Sequence, residues 1–179
     1  MRMVRFRDVV AAVWLLETSP VENVKVLLDM LNEVADGCEV QLFNPDILVD
    51  WEHFDAALVS AVMSFMSGGG SARKLGIEFL TKLAATDQVS KAISFAGVSD
   101  GCKRLGVLIL GRDMEHVKRQ SIRVNQLLGG LPINFETSPD RVERIARYYN
   151  VEAGPHIQAR DRSEALKLAI IQKIATSIL

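Results

Sequence analysis

Three histidines, two cysteines and a glycine run followed by arginine and lysine are the residues with the most chemistry to offer. His53, His116 and His156 stand at no H-x-x-x-H or H-E-x-x-H spacing, so they build no helical metal site. Cys38 and Cys102 lie far apart and in no C-x-x-C pair. That argues against a cysteine-type zinc site and a disulfide framework, and it fits a reducing cytosol. A G-x-S-x-G elbow, a G-x-G-x-x-G turn and a P-loop are all missing, so the common hydrolase and nucleotide cradles have no footing. His53 falls in the first turn of an expected helix beside its apolar stripe, where a structural role fits better than a ligand contact. A small-molecule enzyme built around His53 and Glu78 would have to assemble its site only in three dimensions.

Gly68-Gly69-Gly70-Ser71-Ala72-Arg73-Lys74 is the most suggestive local feature. Free amides at a helix start attract anions, glycines let a phosphate approach, and two cations there are easier to explain if an anion neutralises them. The alternative is a loop with two solvated side chains. Arg141, Arg144 and Arg147 recur every three residues opposite an apolar stripe. Either they meet a phosphate backbone or, with Glu143 between them, they form a solvated face.

The elements that must carry these residues follow from periodicity. Residues 9–16 read as a buried strand rather than a leader, because Asp8 precedes them and no small-residue cleavage site follows. A helix is expected from Ser19, with Pro20 at its first position and Glu22 completing a capping box. Residues 39–43 alternate as a strand. Asp50 is expected to cap a helix with the stripe Phe54, Ala57, Leu58, Ala61, Val62 and Phe65. Ser71 is expected to cap the next, and a break near Thr86 leads to a short helix stopped by Gly97. Residues 104–110 read as a central strand. Further helices are expected from Asp113, from Ser138-Pro139, and from Asp161 or Ser163 to the C-terminus. The order implies an α/β fold: one domain over residues 1–179, with a small mixed β-sheet covered by several helices.

No stretch reaches the roughly 18 apolar residues that span a membrane. Net charge is −1, but residues 1–70 hold 4 Lys+Arg against 11 Asp+Glu, and residues 71–179 hold 17 against 11. The basic second half permits a local phosphate-binding face. The final helix has Leu166, Leu168, Ala169, Ile170, Ile171, Ile174, Ala175, Ile178 and Leu179 around most of its circumference. It is either buried on two sides or docked on another protein.

Within residues 41–101, Gln41, Asn44 and Ile47 precede a helix carrying His53, Ala57 and Ala61. Ala72-Arg73, Glu78, Leu80, Ala85-Thr86, Gln88, Ala92-Ile93 and Gly97-Val98 follow in order. In this segment the chain resembles the kinase-binding subunit of the KEOPS complex, the PRPK-binding (TPRKB/CGI-type) family. The resemblance implies a non-catalytic, cytoplasmic regulatory subunit that works without cofactor, metal or small-molecule substrate. It would bind the PRPK-like kinase/ATPase subunit of KEOPS, the complex that makes threonylcarbamoyladenosine in tRNA. It would also recruit tRNA by its single-stranded 3′ CCA end.

On that expectation the RNA contacts are Arg73, Lys74, Lys82, Thr86, Gln88, Val89 and Lys91. The kinase contacts are Leu166, Ile170, Ile174 and Ile178 on the apolar final helix. Thr86, Gln88 and Val89 match a Thr-Arg-Gln-Ile motif of the family, but Asp87 stands where the motif has arginine. Lys82 or Lys91, each about a helical turn away, would have to supply the missing charge. A scaffold that binds the kinase without touching RNA is the rival expectation.

Overall fold

Two long apolar strands set the layers. The computed structural model describes residues 1–134, 137–154 and 159–176. Strand β2 (Val9–Glu17) sends Val10, Ala12, Trp14 and Leu16 to one side and Ala11, Val13 and Leu15 to the other. Strand β4 (Arg104–Gly111) lies antiparallel beside it and divides the same way. Both read as continuous hydrophobic runs because helices cover both faces of the sheet. Strand β1 (Arg2–Phe6) joins β2 through a two-residue turn at Arg7-Asp8, with Arg7 at a φ of 52°. Strand β3 (Glu39–Phe43) pairs with β4, and the short β5 (Leu131–Pro132) with the end of β2. The order is β1-β2-β4-β3, with every pairing antiparallel. The α/β fold is as expected, but the sheet expected to be mixed is antiparallel throughout.

Helices α1 (Val24–Val34) and α5 (Met114–Leu128) cover one face. The other carries α2 (Trp51–Met66), α3 (Leu75–Leu83), α4 (Val89–Ala96), α6 (Pro139–Tyr149) and α7 (Arg162–Thr176). Phe43, Phe54 and Phe79 form the centre of that second core, with ring centroids 5.2–5.9 Å apart. Gly106 is opposite Phe43 in the ladder, and a side-chain carbon there would come within 2.6 Å of three ring atoms. Glycine is required at that point for the aromatic cluster to close.

Several helix starts fall where the capping residues put them. Asp50 accepts the His53 amide, Asp113 the His116 amide, Ser138 the Arg141 amide and Asp161 the Glu164 amide. Two do not. Helix α1 begins after Asn23, not at Ser19, because the backbone at residues 18–21 bonds to residues 101–103 instead of coiling. Helix α3 begins after Lys74, not at Ser71, because the Ala72 amide donates to the Glu78 carboxylate. Among the described residues no helix is long and apolar enough to cross a membrane.

Candidate functional site

The glycine-rich start of α3 is held by the chain's own carboxylates. Glu78 is buried; its Oε2 accepts the Ala72 amide at 3.0 Å, and its Oε1 lies 3.3 Å from Lys82 Nζ. Glu39 reaches over from β3 and accepts the Gly76 amide at 2.7 Å. A side-chain carbon at position 76 would come 2.7 Å from Glu39 Oε1 and 2.8 Å from Gln41 Cβ, so only glycine lets α3 approach β3 this closely. Burial pushes the Glu39 carboxyl up, and the Gly76 amide and the Lys74 charge pull the other way. The place where a helix start would hold a phosphate is therefore taken by Glu39. Arg73 and Lys74 are exposed and line a cavity of about 720 Å³ together with Phe65, Met66 and Arg112.

Lys82, expected among the RNA contacts, is buried against Glu78 in the last turn of α3. Its ammonium neutralises a buried carboxylate and offers no surface charge to stand in for Asp87. Beyond it, α3 ends in a Schellman turn. The Thr86 amide bonds to Thr81 O, the Ala85 amide to Lys82 O, and Ala85 adopts a left-handed φ of 46°. Thr86 Oγ1 then accepts the Gln88 amide at 3.2 Å and turns the chain into α4. Gln88 and Lys91 are exposed, Thr86 and Val89 half-buried. The exposed Asp87 sits just before α4, where a negative charge complements the positive end of the helix. The expected RNA contacts thus fall into two groups at opposite ends of α3, about 13 Å apart along its axis.

Helix α4 packs against α6 through aromatic rings. Phe95 and Tyr148 are parallel, 3.2 Å between centroids at 2°, and Tyr149 stands edge-on to both at 84°. Tyr149 is buried, and its hydroxyl donates to the Leu83 carbonyl. It therefore accepts from His53 Nε2 at 3.2 Å, while His53 Nδ1 accepts the Val49 amide. Those partners fix a neutral Nε2–H imidazole, and burial lowers its pKa to about 4. His53 is a structural bolt between α2, α3 and α6. Arg141 is half-buried, donating to the Leu48 and Pro45 carbonyls; Arg144 reaches Asp46 O at 3.4 Å. Of the arginine row, the first two thus fasten α6 to the 3-10 turn at Pro45–Ile47.

Helix α7 packs on α2 and α6. Leu166, Ile170 and Ile174, expected on a kinase-docking face, are buried in the chain's own core. They meet no partner unless that core opens. Its outer stripe is Leu168, Ile171 and Ala175, of which Leu168 is 36% exposed. Ile178, the fourth expected kinase contact, lies outside the described residues, as does His156. Lys167 ties the helix to the start of α2, 2.6 Å from Asp50 and 2.5 Å from Glu52.

A family model described as kinase binding protein CGI-121 matches residues 19–177. The chain belongs to that family. No curated protein matches its sequence. The CGI-121 match reaches well beyond residues 41–101 and takes in all the helices of both layers. Within this CGI-121 chain, sequence reasoning missed the Phe95–Tyr148 pair. Its two rings come from helices more than 40 residues apart, and the only signal was the Tyr148-Tyr149 doublet on a helix otherwise rich in arginine.

Proposed function

We propose that this CGI-121 protein is the kinase-binding, tRNA-recruiting subunit of a KEOPS complex in the cytoplasm. It docks on the PRPK-like kinase/ATPase subunit and delivers tRNA by its 3′ CCA end for threonylcarbamoyladenosine synthesis. The family match over residues 19–177 carries the reading. The grouping of Thr86, Gln88, Val89 and Lys91 at one accessible helix start supports the RNA half. Arg73 and Lys74 supply further positive charge at the other end of α3. For the kinase, the outer stripe of α7 replaces the buried positions. Leu168→Glu with Ile171→Glu is expected to abolish co-purification with the kinase while leaving thermal unfolding nearly unchanged; normal co-purification rejects that surface.

The RNA half is tested by comparing the affinity of intact tRNA with that of tRNA trimmed of CCA, with and without the kinase. Loss of affinity on trimming supports end recognition, and equal affinity rejects it. A scaffold without RNA contact is the second reading. Two observations favour it: the exposed Asp87, and the occupation of the α3 start by Glu39.

A further inference from the structure

The motif residues at the start of α4 contain no aromatic group, yet recognition of single-stranded RNA relies on stacking unpaired bases against flat side chains. One helical face supplies the missing group. Gln88, Lys91 and Phe95 follow one another at three- and four-residue spacings along α4. At Phe95 the ring of Tyr148 lies parallel, and Tyr148 remains 45% exposed although its partner covers one face. Lys91 stands one turn before Phe95 on α4 and is exposed, whereas Arg144, one turn before Tyr148 on α6, turns its guanidinium to the Asp46 carbonyl. Below them the buried Tyr149, tied to Leu83 and His53, stands edge-on and fixes both planes. This is a rigid, half-open aromatic surface flanked by positive charge. A partner with flat rings and negative linkers fits it, and an apolar protein segment would leave the Lys91 charge unmatched.

We infer that Tyr148, backed by Phe95, is the stacking platform for an unpaired base at the end of the bound RNA, with Lys91 meeting a flanking phosphate. The inference rests on the proposed RNA reading and names the part of the surface that performs it. It also needs no arginine at position 87, because affinity then comes from stacking and from Lys91.

The probe is a short single-stranded RNA ending in CCA, its terminal adenine replaced by 2-aminopurine, whose fluorescence is quenched on stacking. Wild-type protein is expected to quench it on binding. Tyr148→Leu should weaken binding by about 5- to 100-fold and remove the quenching. Tyr148→Phe, which keeps the ring, should restore most of both. Lys91→Gln should flatten the dependence of log affinity on log salt by about 0.7, the share of a single neutralised phosphate on a single strand. Binding that needs CCA but is indifferent to Tyr148→Leu overturns the platform and leaves end recognition standing. Binding indifferent to CCA removal overturns both. A loss of kinase co-purification in Tyr148→Leu with unchanged RNA affinity reassigns the patch to a protein partner and also overturns the inference. If the leucine variant does not fold, the wild-type quenching still decides: an unquenched bound probe rejects stacking.

Discussion

The starts of α3 and α4 look alike in sequence and differ in what surrounds them. Each follows a break in helical periodicity, and each brings one or two cations to the first turns of a helix. At α3 the chain supplies its own anions, with Glu39 on the Gly76 amide and Glu78 on the Ala72 amide. At α4 the cap residue Gln88 makes no side-chain cap, and further along the helix Phe95 meets the Tyr148 ring of α6. A glycine-rich helix start is therefore a poor guide to an anion site when acidic residues lie within reach in space. Accessibility of the helix start, rather than its composition, separates a closed structural joint from a surface open to a partner.

The comparison can be broken at its closed end first. Glu78→Ala leaves the Lys82 ammonium buried without its carboxylate, and the cost should be about 3–5 kcal/mol by denaturant unfolding. A change below about 1 kcal/mol would mean that the α3 start does not depend on its internal anion.

Acid should then weaken the support of the open end. The folded pKa of His53 is about 4, below its ordinary 6.5, so the unfolded chain binds more protons between those values. The His53 contribution is thus complete above about pH 6.5 and falls as pH drops toward 4, by about 3 kcal/mol in all. Unfolding free energies measured across that window in wild type and His53→Gln should differ in slope, the variant being flatter.

The smallest expected effect is on RNA affinity and compares the two ends directly. Lys91→Glu should lower affinity for a CCA-ended RNA about tenfold at low salt, and Arg73→Glu by about two- to threefold, as expected of a peripheral charge. Equal losses would place both ends of α3 in one continuous RNA track.

Much of the fold was legible because the signals are local. The β2 and β4 runs, the Asp50, Asp113 and Ser138 caps and the Gly97 stop all act within a few residues, and each appears where its chemistry puts it. Ser19 and Ser71 failed as caps for a non-local reason. The backbone after Ser19 is pulled into bonds with residues 101–103, and Glu78 draws the Ala72 amide away from helical geometry.

The candidate site was less legible. Glu78 and Lys82 at four-residue spacing read the same on an exposed helix as in a core, so the sequence could not show that Lys82 is buried. The apolar residues of α7 run around most of its circumference, and no periodicity assigns Leu166, Ile170 and Ile174 to the chain's own interior and Leu168 and Ile171 to its outside. The α4–α6 ring pair depends wholly on tertiary placement.

The sheet order also governs how the chain reaches its fold. β2, at the centre of the sheet, bonds on its inner side to β4 residues roughly 90–100 positions later, and contacts of that span close slowly. A hairpin of β1 and β2 alone leaves the edge of β2 that pairs with β4 open, with Val10, Ala12 and Trp14 on one side of it and Val13 and Leu15 on the other. Until β4 arrives this two-stranded ribbon is an adhesive edge, which makes β1 and β2 the place where a chaperone acts first.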